Sequence, residues 1–228
     1  MCGRFTQKSE RPKLEIDFLI DDFIFEPVIS YNIAPTQKAG IIIKNGSRAY
    51  NHFQWGLIPF WSTGPAIGMK MINARSETAA QKSSFKMPLK KQRCLIPASG
   101  FYEWQKDGNC KKPYYFFSAN NNTLAFAALW DKWKISETEI IYTFTILTKP
   151  ANKTVMAYHN RMPVILFKEQ YGTWLDTTYQ NTDELTKIIT DPVSPNLQVY
   201  EVSTFVNSPQ NNTEKCIEPI NSNKDQLF

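Results

Sequence analysis

Four residues of this chain, Cys2, Asn73, Glu103 and His159, are of types that attack, protonate or hold a reacting group. Cys2 stands directly behind the initiator methionine in MCGRF. Chain ends are usually frayed and solvated, which makes this a poor place for a structural thiol. Loss of Met1 would leave a thiol and a free α-amine on one residue, a 1,2-aminothiol. Three readings are open for it. Cys2 is a small buried hydrophobe, as free cysteines often are. Or it is the thiol nucleophile of an amidohydrolase whose own α-amine serves as base. Or it is an aldehyde trap, in which the amine forms an imine and the thiol closes it to a thiazolidine. An α-amine with a pKa of about 7.7–8.0 keeps a useful neutral fraction at cytoplasmic pH. Both chemical readings require Met1 to be removed, and a small second residue permits that.

Other residues supply what such chemistry needs. In MINARSET, Asn73 brings an amide that donates and accepts, and Arg75 a planar fork suited to phosphate; the plain alternative is a polar turn with a surface arginine. Glu103 lies between Tyr102 and Trp104 in IPASGFYEW. An acid flanked by aromatics is expected in a low-dielectric pocket with a raised pKa, as acid–base catalysis requires, although strand alternation equally allows it to face water. His159 sits in AYHNRMPVIL, where polar HNR interrupts an apolar run, while His52 in NHFQW reads as structural. In WGLIPFW, Trp55, Phe60 and Trp61 are able to stack on unpaired bases, or to fill a core.

Of the 228 residues, 42% are apolar, ample for a core. The first fifteen contain no apolar signal region, and no run approaches the length of a membrane span. Cys2, Cys94, Cys110 and Cys216 form no C-x-x-C pair, which argues against a zinc site or redox dithiol. A soluble cytoplasmic protein with reduced thiols and no cofactor is expected. The net charge is only +5, but ten basic residues between Lys70 and Lys112 face three acids. Such a segment suits a polyanion-binding face, or a solvated lysine-rich loop; Glu10–Glu26 is acidic instead.

Hairpin signals dominate the chain. Asn45-Gly46 and Asp107-Gly108 each separate two strand-like runs. LAFAALW, IIYTFTILT and LQVYEVSTFV are further strand candidates. Helical patterning occurs in ERPKLEIDFLIDDF and more weakly in KEQYGTWLD and DELTKIITD. Strands recur at both ends, which predicts one α+β domain over residues 2–228, built on antiparallel, barrel-like sheet with a few peripheral helices.

MCGRF, YNIAPTQ, WGLIPFW, NARSET, GFYEW and HNRMPVIL, in that order, closely resemble the SOS-response-associated peptidase (SRAP) family, and EVSTFVNS…IEP is similar to its final strand and tail. The resemblance implies that Cys2, freed of Met1, captures the ring-opened aldehyde of an abasic site in single-stranded DNA as a thiazolidine crosslink. It implies that Asn73 holds the adduct, that Glu103 is the acid–base group, and that His159 is a second proton-transfer group. Arg4, Arg75 and more weakly Arg161 match the phosphate contacts. The family commonly has aspartate after the histidine, where this chain has Asn160. A monomer is expected, nucleoid-associated when bound to DNA. The family name also records a proposed peptidase activity, read as release of the protein's own Met1. An N-terminal-cysteine amidotransferase, whose family motifs are missing, and a non-covalent single-strand-binding module are the rivals.

Overall fold

The computed structural model describes residues 2–108 and 110–220. Met1, whose removal the chemistry requires, and the end of the expected domain after residue 220 lie outside the described residues. In chain order the strands are β1 (Phe5–Gln7), β2 (Asp22–Phe23), β3 (Ser30–Ile33), β4 (Lys38–Asn45), β5 (Ser47–Trp55), β6 (Asn73–Arg75) and β7 (Arg93–Ala98). There follow β8 (Gly100–Asp107), β9 (Cys110–Ser118), β10 (Leu124–Lys134), β11 (Ile140–Pro150), β12 (Arg161–Pro163), β13 (Ile165–Leu166) and β14 (Leu197–Glu201). The helices are α1 (Arg11–Phe18), α2 (Ser76–Ala79), α3 (Ser83–Lys91), α4 (Lys153–Met156), α5 (Tyr171–Leu175) and α6 (Thr182–Thr190).

Five strands close on themselves. β11, β10, β7, β4 and β5 pair successively antiparallel, and a short parallel pairing of Gln54 with Thr143 and Trp55 with Phe144 returns β5 to β11. The α+β expectation with a barrel therefore holds. Both hairpin dipeptides form turns, with Gly46 at φ 77° and Gly108 at φ 58°, a region that glycine enters at little cost.

Strand side chains alternate in direction, and here both faces are covered. Ile41, Phe53, Ile96, Phe126 and Phe144 join one buried cluster, while their neighbours Ile42, Leu95, Ala125, Ala127 and Leu147 join another. This explains the unbroken apolar run LAFAALW, since a strand buried on two faces need not alternate. α1, α5 and α6 cover the outer cluster with Leu14, Phe18, Trp174, Leu175, Leu185 and Ile189. Each such large side chain contributes about 1.5–3 kcal/mol on burial. A second sheet, in the order β14-β9-β8-β1-β3, packs against the barrel's other side.

Two elements differ from the sequence reading. KSSFKMPLKK, expected as part of a basic loop or face, is the helix α3 with Pro88 inside it. Arg93, counted among the basic residues of that segment, is 0% exposed. Its guanidinium donates to the carbonyls of Leu89 and Lys90 at the end of α3 and to those of Trp174 and Tyr179. With the Asp176 carbonyl as a further acceptor, it is a structural clamp on five backbone acceptors, which burial brings down to a pKa of about 10, and not a surface charge.

Candidate active site at the amino terminus

The residues before β1 form an arm laid along β8. Phe5 pairs with Phe101, Thr6 with Gly100, and the Tyr102 amide donates to the Arg4 carbonyl at 3.0 Å. That antiparallel direction carries Cys2 back past Glu103. Cys2 is fully buried, its thiol 3.8 Å from the Arg4 carbonyl. Across the site, Asn73 opens β6, which lies parallel to β11 with Asn73 beside Ile146. The Asn73 amide donates to the Cys2 carbonyl at 2.8 Å, and its Oδ1 is buried without a hydrogen-bond partner among the described residues.

Glu103 is 3% exposed, so the inward alternative is the one realised. Burial pushes its carboxyl up to about 7, against the opposing pull of the positive chain terminus. Burial likewise pushes the Cys2 thiol up, and the charge of Glu103 adds to the rise. The two groups are thus electrostatically coupled: ionising one disfavours ionising the other.

His159 follows α4, whose cap Asn152 accepts from the Val155 amide at 3.0 Å. The His159 Nδ1 meets both the Arg161 amide at 3.0 Å and the Arg161 carbonyl at 3.2 Å, accepting from the first in one tautomer and donating to the second in the other. Its pKa is lowered, first by burial and next by the positive chain terminus. Asn160, beside the histidine, is exposed.

The residues expected to hold DNA divide sharply. Arg75 is exposed, as are Phe60 and Trp61, at 63% and 48%. Trp55 is different and the expectation that it stacks on a base is corrected. It is fully buried, its indole N–H donates to the Ile72 carbonyl at 2.8 Å, and its ring packs on Phe5 and Phe144. Arg161 is bidentate to Glu77 and also donates to the Thr148 carbonyl. Arg4 donates to Asn32 and to the carbonyls of Val206 and Asn207. Both arginines reach internal acceptors before any phosphate. His52 is stacked on Phe25, in keeping with a structural role.

The model of the SOS response associated peptidase (SRAP) family matches residues 1–209. The chain belongs to that family. Among similar proteins, the abasic site processing protein YoqW of Bacillus subtilis (strain 168) is 42% identical over 96% of this chain and 99% of its own length. The abasic site processing protein HMCES of Gallus gallus is 34% identical over 84% of this chain and 66% of its own. A Bacteroides thetaiotaomicron protein of known crystal structure superposes with a TM-score of 0.82 at 24% identity, covering 96% of this chain and 99% of that one. A second, from Bordetella bronchiseptica, gives 0.76 at 26% identity over 89% and 100%.

Within this SRAP chain, sequence reasoning gave no role to Glu77 or Asn32, although both lie in quoted motifs. Their arginine partners are 84 and 28 residues away, and no local spacing signals such pairs. No group of histidine, cysteine, aspartate or glutamate among the described residues is placed to hold a metal, and no helix among them is long and apolar enough to cross a membrane.

Proposed function

We propose that this protein processes abasic sites in single-stranded DNA by covalent capture through Cys2 after loss of Met1. Attack of the α-amine on the C1′ aldehyde expels water and leaves an imine. The thiol sulfur then adds to the imine carbon, its proton ends on the nitrogen, and a thiazolidine closes. One observation carries the reading: Cys2 is buried against a carboxyl held near 7 while Asn73 grips its carbonyl. A group with that pKa is able to take the thiol proton and to protonate the leaving hydroxyl at neutral pH. His159, held at Nδ1 by the backbone of Arg161, is a second proton carrier, and Asn73 Oδ1 is an acceptor for the thiazolidine N–H. The relatives' names, abasic site processing proteins, support the abasic site as the target.

A second, one-time activity is favoured by the buried carboxyl of Glu103 acting on Cys2: hydrolysis of the Met1–Cys2 amide, by which the protein would expose its own nucleophile. It accords with a lyase-like protein that is consumed, or slowly released, by its DNA adduct, and that acts as a monomer without a cofactor.

The test mixes Met1-free protein with a single-stranded abasic oligonucleotide and runs a denaturing gel. Wild type is expected to give a heat-stable band, and Cys2→Ala at most an imine that reductant traps. A heat-stable adduct of normal yield from Cys2→Ala would overturn the thiazolidine. Binding without a band in wild type would leave only the non-covalent module, and release of ammonia from glutamine would point to the amidohydrolase.

A further inference from the structure

We infer that Asn32 is a positioning residue that locks the segment 204–211 onto the arm bearing Cys2 and so holds the nucleophile in line. Asn32 lies on β3 and is 1% exposed. Its Oδ1 accepts from Arg4 Nη1 at 2.6 Å. Its Nδ2 faces three carbonyls, those of Val206 at 3.1 Å, Ser208 at 2.9 Å and Asn211 at 2.6 Å. Arg4 closes the lock from the other side by donating to the carbonyls of Val206 at 2.9 Å and Asn207 at 3.4 Å. Its guanidinium lies over the Trp104 ring, whose N–H donates to Asn207 Oδ1 at 2.8 Å.

The link to the nucleophile is covalent and short. The Arg4 residue whose side chain grips the segment also offers its carbonyl to the Tyr102 amide and to the Cys2 thiol. Moving the segment therefore moves Arg4, and moving Arg4 moves a thiol two residues away. The segment is itself well seated. Asn212 Oδ1 accepts from the Tyr31 amide at 2.7 Å, and Val206 and Cys216 pack with Tyr102 and Tyr115. Only asparagine supplies what the lock needs, an acceptor for a cation and N–H donors for carbonyls on one short side chain. Aspartate would turn a second oxygen toward three carbonyls, and alanine would leave the half-buried Arg4 fork short of one acceptor.

The inference rests on the reading of Cys2 as the reacting residue. A reacting group displaced by about 1 Å loses on the order of 10²-fold in rate. Asn32 is uncharged and buried, so its replacement touches no phosphate.

The experiment compares Met1-free wild type with Asn32→Ala and Asn32→Asp in four measurements. They are the maximal rate of adduct formation on a saturating single-stranded abasic oligonucleotide, the half-saturating concentration with its salt slope, Cys2 alkylation by iodoacetamide followed by mass, and tryptic cleavage after the exposed Lys215. Expected for Asn32→Ala is a maximal rate about 10²-fold lower, with half-saturation and salt slope unchanged, and faster alkylation and cleavage. An unchanged maximal rate overturns the inference, and so does a loss confined to temperatures at which the variant has melted. Should Asn32→Ala not fold, Arg4→Ala decides. A lock predicts a lower maximal rate at an unchanged salt slope, whereas a phosphate contact predicts a slope flatter by about 0.7 at an unchanged maximal rate and overturns the lock. If wild type forms no adduct, the reading of Cys2 has failed, and alkylation and cleavage still report on the lock alone.

Discussion

The side-chain amide of Asn73 holds the carbonyl of Cys2 at 2.8 Å although 71 residues separate them. β6 is therefore the wall against which the first residues are set, and β11, to which β6 is paired, is its support. Asn73→Asp replaces the donor by an acceptor and loses a hydrogen bond worth about 1 kcal/mol, with two buried oxygens left facing each other. Adduct formation is expected to slow by at least about tenfold in single-turnover gels. Rates equal to wild type would remove Asn73 from the site.

Glu103→Gln is expected to slow adduct formation by roughly 10²-fold and to leave DNA affinity unchanged. Its pH dependence is the sharper test. As a base, Glu103 acts when ionised, so the wild-type rate should rise through about pH 7, and the glutamine variant should lose that limb. Stability moves the other way. The folded value lies above the ordinary 4.5, so between the two the folded state binds more protons than the unfolded one. This contribution is complete below about 4.5 and is lost as pH rises through about 7. His159 opposes it, because its folded value lies below 6.5 and that part of stability grows with pH. Subtracting the glutamine variant isolates Glu103: Tm of the variant relative to wild type should climb from pH 5 to pH 8. A constant difference in Tm would place the carboxyl in water.

The three aromatics of WGLIPFW should separate in two assays. Trp55→Ala removes a fully buried indole and should cost about 3–5 kcal/mol of stability, seen as a lower denaturant midpoint. Trp61→Ala and Phe60→Ala should leave that midpoint in place and weaken single-strand binding by about 1–3 kcal/mol per lost stack. Normal affinity in both would move the strand off this loop.

Arg75→Ala should flatten the log–log salt dependence of single-strand affinity by about 0.7, one phosphate contact, and weaken all sequences alike, because phosphates carry no sequence. A matched duplex carrying the same lesion should react more slowly. Salt titrations on the two substrates check both, and identical slopes with equal reactivity would put the DNA on another face.

What was legible in the sequence was local. Asn45-Gly46 announced its hairpin because a positive φ is needed there, and the acidic first turn of DELTKIITD, Asp183 and Glu184, marked the start of α6. The acid of GFYEW was legible only as a choice between a buried pocket and water, and the fold decides for burial. What stayed hidden depends on distant partners. The parallel seam of Trp55 with Phe144 decides that the indole faces the core, and nothing within WGLIPFW distinguishes it from Trp61. Pro88 masked α3, since a proline inside nine residues ordinarily argues against a helix. Arg4, Arg93 and Arg161 are alike as letters, and only the fold shows that each is already answered by internal acceptors.

The lock between Asn32 and the carbonyls of Val206, Ser208 and Asn211 sets a timetable. Residue 2 is made first, and the segment that fastens its arm is made more than two hundred residues later, a delay of roughly 10–40 s at about 5–20 residues per second. Throughout that interval the cysteine is present but its surroundings are not. A chain interrupted in translation, or clipped before residue 204, carries the whole quartet of Cys2, Asn73, Glu103 and His159 without the fastening that aligns its first member. On the proposed reading of Cys2, quality control of reactivity is built into chain completion: fragments would carry the reagent but lack its aim.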